Sequence, residues 1–339
     1  MLCLGIESTA HTFASSVIDL TDNEKQPIIV SDARSVYVSP AGSGIHPRDA
    51  SRHHASVASE IVNQALLYGT IKSTDLAAVA YSAGPGLGPC LRVGAVAARA
   101  LSSFYNIPLI PVNHAIGHIE LGMALTGAQD PLLLLVSGGH SLIALLTNRR
   151  WRIIGETLDI TLGQLFDQFG RHLGFSSPCG PKIEELASKS SGNCIKLPYT
   201  VKGNDITFSG LLSALKRAYT SKMLVNDLCF SLQETAFAML SEAIERALVV
   251  TKKKELLVVG GVAANMRLGD MLEAACKRHG ATFRVCPPKY SGDNGAQIAW
   301  TGALQFASTT KIAVKVLQSF VKQSWRLDEV DIYWRNWTN

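Results

Sequence analysis

The chain is short of charge. Asp, Glu, Lys and Arg make up only 17% of its 339 residues, against 47% hydrophobic residues. That balance excludes a disordered chain and calls for large buried interfaces. Long apolar runs are missing as well: no stretch of about 18 uninterrupted apolar residues occurs, so no membrane-spanning helix is expected. The start, Met1 to Glu7, has no basic segment and already carries an acid, so it reads as a strand rather than a signal peptide. The seven cysteines are scattered, odd in number and never spaced Cys-x2-Cys. This excludes a disulfide framework and a zinc knuckle, and points to reduced thiols in the cytoplasm. No low-complexity segment is present. The net charge of +5 is compatible with nucleic-acid contact but does not distinguish it.

At this length two lobes are the default. Leu2 to Asp19 reads as strand, polar turn, strand, and Pro131 to Thr147 repeats the pattern through Ser137-Gly138-Gly139. Two such hairpins about 130 residues apart suggest a duplicated α/β architecture with a cleft between lobes. Turns rich in Ser, Thr and Gly present N–H groups and hydroxyls that suit phosphate oxygens. Tyr81 to Arg92 reads as a Gly/Pro-dense loop, followed by a helical pattern over Val93 to Tyr105. Further helices are expected over Leu162 to Leu173, Ile183 to Ser188 and Asp227 to Val250. Glu255 to Arg267 reads as a buried strand, a Gly-Gly turn and a helix starting near Asn265, a junction where a nucleotide can dock. The strand Thr282 to Cys286 leads to Asp293, just before another helix. The tail after Trp325 is expected to be a surface extension.

His114 and His118 stand four residues apart, on one helical face, where both side chains can reach one ion. The spacing alone also describes a solvated helix face. Asp293, in a tight Ser-Gly-Asp-Asn-Gly turn, is the best third ligand, although an Asp there can equally cap the helix. Two histidines and a carboxylate suit Fe(II) or Zn(II). A zinc peptidase is excluded, because Ala115 stands where the general base of a His-Glu-x-x-His helix belongs. The nearest acid, Glu120, is displaced around the helix. His53 and His54 read as helix-capping or substrate-contacting residues. The Lys252-Lys253-Lys254 run reads as a solvated helix terminus. Asp167 and Glu184, flanking a Pro-Cys-Gly180-Pro turn, can accept hydrogen bonds from a ligand.

Eight motifs occur in a familiar order: Gly5 to Thr12, Gly44 to Arg48, Gly84 to Gly88, Asn113 to His118, Val136 to Gly139, Phe208 to Gly210, Gly260 to Asn265 and Asp293 to Ala296. Together they resemble the tRNA N6-adenosine threonylcarbamoyltransferase family, the catalytic subunit of the KEOPS complex and bacterial TsaD. The first motif and the ending Trp325 to Asp331 are similar to the archaeal and eukaryotic branch. The resemblance covers Leu2 to about Trp334. It implies an ASKHA (actin, sugar kinase, Hsp70) fold with residues 1–128, completed by 300–339, as the first lobe and 129–299 as the second. It implies transfer of threonylcarbamoyl from threonylcarbamoyl-AMP to N6 of adenosine 37 in tRNAs reading ANN codons. His114, His118 and Asp293 would hold one divalent metal, Fe(2+) ahead of Zn(2+). Leu135, Val136, Ser137, Gly138, Gly139, Asp167, Gly180, Glu184 and Asn265 would line the adenylate pocket, which ATP or ADP can also occupy. Implied partners are tRNA, a small kinase-like ATPase subunit and a small dimerising subunit of KEOPS, with Lys216, Arg217, Lys222 and Lys252 to Lys254 available to tRNA. One departure stands out. Relatives of that branch carry Tyr where this chain has Leu135, and Asn where it has His140, so His140 is a candidate substitute ligand. A nucleotide-dependent ATPase or phosphotransferase, or a non-catalytic scaffold, is the alternative on the same fold.

Overall fold

The structure, a computed structural model, describes residues 1–20, 27–219 and 225–335; Lys222 lies outside them. Two five-stranded mixed sheets organise the chain. In the first, β1 (Leu2–Glu7), β2 (Thr12–Asp19), β3 (Ile28–Val36), β4 (Leu76–Gly84) and β5 (Leu109–Asn113) lie in the order β3-β2-β1-β4-β5. In the second, β6 (Leu132–Val136), β7 (Ser141–Thr147), β8 (Arg150–Glu156), β11 (Glu255–Val259) and β12 (Thr282–Val285) lie in the order β12-β11-β6-β7-β8. A small hairpin, β9 (Val201–Lys202) and β10 (Asp205–Ile206), forms its own two-stranded sheet and is bridged to the end of β8 through Thr157 and Ile206.

The two large sheets repeat one plan. Each opens with an antiparallel hairpin, β1 with β2 and β6 with β7, and then adds two parallel strands. The hairpins read from the sequence are therefore both present. β1 is buried from Cys3 onward, and all of β6 is buried, as expected of central strands covered on both faces.

Helices α1 (Pro47–Tyr68) and α2 (Gly88–Tyr105) pack together and onto the first sheet. The next, α3 (His114–Thr126), lies against β5 on one side and β11 and β12 on the other. Its first ten residues are all buried, so it carries no solvent face. In the second half come α4 (Leu162–His172), α5 (Gly180–Ala187), α6 (Ser209–Ala218), α7 (Val225–Thr251) and α8 (Met266–Arg278), then the short α9 (Pro288–Ser291) and α10 (Gly295–Ser308). Helix α10 returns to the first sheet and packs on β1, β2, β4 and β5.

Three expectations need correction. Helix α2 begins at Gly88 and α5 at Gly180, inside segments read as loop, because Pro89 and Pro181 occupy first-turn positions where a missing N–H costs nothing. His53 and His54 cap nothing: they sit inside α1, whose N-cap is His46. Residues 326–335 are not a surface extension, since Leu327, Val330 and Ile332 are buried. Their apolar side chains have a core to join. The Lys252–Lys254 run does follow the end of α7, and Lys253 pairs with Asp130. The seven cysteines are free thiols, all but Cys194 buried. Among the described residues no helix is long and apolar enough to cross a membrane.

The β1–α10 contact is backbone against backbone. A Cβ on Gly5 would stand 2.2 Å from Ala299 N and 2.3 Å from Gly295 O. Gly5→Ala is therefore expected to destabilise the protein by about 3 kcal/mol, the upper end of overpacking costs. The melting temperature should fall by roughly 5 °C or more, measured by calorimetry.

Candidate metal centre

Three chain segments converge behind that contact. Asn113, the last residue of β5, caps α3: its Oδ1 accepts the Ala115 and Ile116 N–H groups at 3.0 and 3.2 Å. The cap fixes where the helix begins and so places His114 and His118 on its first turns. Asp293 precedes α10, but Asn294 is the cap there, its Oδ1 accepting Gln297 N–H at 2.9 Å. The capping role considered for Asp293 thus belongs to its neighbour, and the Asp293 carboxylate turns to the histidines.

His114 Nε2 lies 3.6 Å and His118 Nε2 3.4 Å from Asp293 Oδ1. Ligand atoms from the three residues all fall within 4.8 Å of one another. The two rings meet edge to face at 4.7 Å. His118 Nε2 is buried without a hydrogen-bond partner, which is costly for a polar atom unless something coordinates it.

Glu7 orients His114 and was not singled out from the sequence. Its Oε2 stands 2.9 Å from His114 Nδ1, and its Oε1 accepts Thr9 N–H at 2.6 Å. Nδ1 therefore keeps the proton, and Nε2 is the atom offered toward Asp293. The Gln297 amide and the Thr9 hydroxyl lie 3.1 and 3.4 Å from the same Nδ1. The available signal was an acid ending an otherwise apolar strand.

The electrostatics fit a cation. Burial pushes the His114 imidazole down, yet Glu7 and Asp293 more than reverse this and raise it to about 9. Burial works against the Asp293 carboxylate, but His114 and His118 hold it far below the usual range. His118 is pushed down, chiefly by burial. A buried carboxylate, Glu7, and a half-buried one, Asp293, thus favour positive charge at this point. A divalent ion on two imidazole nitrogens and one carboxylate oxygen satisfies that demand and the orphaned nitrogen. The half-buried His140 lies outside the group of three; burial, then the charges of His114 and His118, lower it to about 4.

The residues expected to hold a nucleotide form a linked series in the second half. Thr161 Oγ1 donates to Gly138 O at 2.9 Å, tying the Ser137–Gly139 turn to the start of α4. Asp167 Oδ1 accepts Cys179 N–H at 2.7 Å where α5 begins at Gly180. Glu184 Oε1 accepts Met266 N–H at 2.9 Å. Asn265 caps α8 through Leu268 N–H and donates to Gln233 Oε1 at 2.8 Å. Gly260, at φ +96°, brings that turn back so closely that a Cβ would stand 2.3 Å from Val136 O. Around this ring a Cβ at Gly138, Gly139, Gly180 or Gly292 would meet no atom within 4 Å, leaving open room. Two N–H groups of the Ser137 turn, those of Gly139 and His140, donate to Ser137 Oγ at 3.2 and 3.0 Å rather than standing free. Leu135 is fully buried in the cluster that holds Ala115 and Ile116, on the α3 side of β6.

The two sheets of one plan define an ASKHA-type fold. The fold is similar to that of HypF from T. kodakarensis (TM-score 0.62, 13% identity, 92% of this chain and 48% of that one). It is also similar to the activator of the 2-hydroxyisocaproyl-CoA dehydratase from Clostridium difficile (TM-score 0.54, 10% identity, 93% and 99%). The model of the family described as TsaD, tRNA N6-adenosine threonylcarbamoyltransferase, matches residues 28–300, and the chain belongs to that family. Enzymes of that name from Staphylothermus marinus and Methanocella arvoryzae are 47% identical over 338 residues and 49% over 331. The first match covers 98% of this chain and 99% of the relative, the second 98% of each.

Glu7→Gln keeps the shape of the carboxylate but removes its charge. It is expected to weaken Fe(II) or Zn(II) binding by about tenfold to a hundredfold. Titration against a competing chelator measures this; wild-type affinity would show that Glu7 is only a structural acid.

Proposed function

We propose that this chain transfers threonylcarbamoyl from threonylcarbamoyl-AMP to N6 of adenosine 37 in tRNAs reading ANN codons. The observation that carries the reading is the His114–His118–Asp293 group, found in a chain of this family. On this reading those three residues hold one divalent metal, Fe(2+) ahead of Zn(2+). When bound, such an ion supplies Lewis acidity to the carbamoyl carbonyl.

In the reaction the N6 nitrogen bonds to the carbamoyl carbon and gives up one proton, which passes to solvent. The bond from that carbon to the adenylate phosphate oxygen breaks, and AMP leaves with the electron pair. Glu7 keeps the His114 tautomer fixed throughout. A phosphate oxygen takes the place of Ser137 Oγ as acceptor for the Gly139 and His140 N–H groups, and the Ser137 hydroxyl donates to the same phosphate. Val136 and Gly180 border the adenylate, with Leu135 as apolar backing beneath the Gly260 turn. Asp167 and Glu184 each commit one oxygen to a backbone N–H; we assign the second oxygen of each, with Asn265, to ligand hydroxyl and amino groups. ATP or ADP fits the same pocket.

The reading divides the chain into a first lobe of residues 1–128 with 300–339 and a second of 129–299. The packing of α10 on the first sheet supports the return of the chain. An apolar groove of about 580 Å³ between α1 and α2, lined among others by Ala58, Val62, Val93 and Val96, suits the small dimerising KEOPS subunit. The small kinase-like ATPase subunit is assigned to the second lobe. Lys216, Arg217, Lys252 and Lys254 are assigned to tRNA; Lys253 is engaged by Asp130.

The test is product formation from synthetic threonylcarbamoyl-AMP and an unmodified ANN-decoding tRNA, with partner subunits present. His118→Ala is expected to slow transfer by about a hundredfold or more, as loss of several kcal/mol of charge stabilisation implies. Stripping the metal with a chelator should do the same, and adding Fe(II) back should restore the rate. Full activity of His118→Ala would remove the metal role, and no product from the wild-type complex would remove the transferase reading.

A further inference from the structure

Glu120 is the acid left over once a peptidase is excluded. It lies two residues beyond His118, which turns it to the far side of α3 from the histidine pair. It is 2% exposed and held by Arg335 through two hydrogen bonds, Nε to Oε1 at 3.2 Å and Nη2 to Oε2 at 2.6 Å. A carboxylate this deep is tolerated only when paired, so the bond fixes both partners. At the other end of the helix Asn113, while capping α3, donates from Nδ2 to Trp325 O at 3.2 Å. Between these two fixings Leu327, Val330 and Ile332 are buried in one cluster with Ala115, Ile116 and Ile119 of α3. The same stretch is anchored to the turn between β7 and β8, where Ile332 N–H donates to Arg149 O at 2.8 Å and Arg149 pairs with Asp331 at 3.1 Å.

We propose that residues 325–335 form a strap that sets the position of the histidine-bearing helix, with Arg335 as a positioning residue for the metal centre. This rests on the metal reading above. Ligand groups must be held within about 0.5 Å of their working geometry. Arg335 touches none of the three ligands and acts through the helix it holds. A small displacement of α3 alters both distances to Asp293 while leaving the two sheets intact.

Metal titration of the full chain, at a temperature well below every variant's melting point, tests the strap. Arg335→Ala is expected to bind Fe(II) or Zn(II) about tenfold more weakly. Arg335→Ala strands the Glu120 charge and risks misfolding, so the double variant Glu120→Leu/Arg335→Met is measured beside it. That pair leaves no charge unpaired and is expected to fold, yet to bind metal more weakly, because the fork that orients α3 is gone. Leu272→Ala, in the core of the second half away from α3, is the control: it should lower the melting temperature and keep wild-type affinity. Wild-type affinity in the double variant overturns the strap. So does equal weakening in Leu272→Ala, since general destabilisation would then suffice. If the wild-type chain binds neither metal, the metal reading itself fails, a result distinct from a strap that fails on a metal-binding protein.

Discussion

The candidate centre depends on how closely α10 lies against β1. Gly5 on β1 and Gly295 at the helix start both lack a side chain where the helix meets the sheet: a Cβ on Gly5 would stand 2.3 Å from Gly295 O, and one on Gly295 would stand 2.5 Å from Ser16 N on the neighbouring β2. Because that approach is so close, Asp293 emerges from the turn just before α10 beside the end of β1. There Glu7 already waits for His114. Helix α3, wedged between α10 and the second sheet, then needs only a defined starting residue to bring both imidazoles to the same place, and the Asn113 cap supplies it.

The price of this convergence is two carboxylates and two imidazoles in a space largely closed to water. Buried charge is tolerated when each group has a partner, and here the partners are one another. Glu7 and Asp293 raise His114 far above the usual imidazole range, even against burial. His118 Nε2 is buried and faces only Asp293 Oδ1, at 3.4 Å, without a well-formed hydrogen bond among the described residues. Carboxylates facing an imidazole nitrogen that lacks a well-formed hydrogen bond suit a cation at this point.

Much of this is legible in the amino-acid sequence. The two hairpins, the buried strand before the Gly-Gly turn and the long helix over Asp227 to Val250 follow from periodicity and turn residues, which act locally. The boundaries went astray where Gly and Pro were read as loop, because Pro89 and Pro181 open helices as readily as they end them. His53 and His54 were misplaced for a related reason: a helix that starts at Pro47 already contains them. The tail after Trp325 was misread because Leu327, Val330 and Ile332 show no regular period, and only a core found elsewhere in the chain gives their spacing meaning.

By itself the sequence determined the local facts. It set two histidines on one face of a helix and denied that helix the glutamate a peptidase needs. The i, i+4 spacing does this without reference to any other segment. Only the tertiary structure decided which groups meet the histidines. Glu7 reaches His114 across 107 residues, and Arg335 reaches the back of the same helix across 215. No local pattern encodes such pairings; they exist because backbones pack closely enough to bring distant side chains together, and because a buried charge accepts no arrangement that leaves it alone.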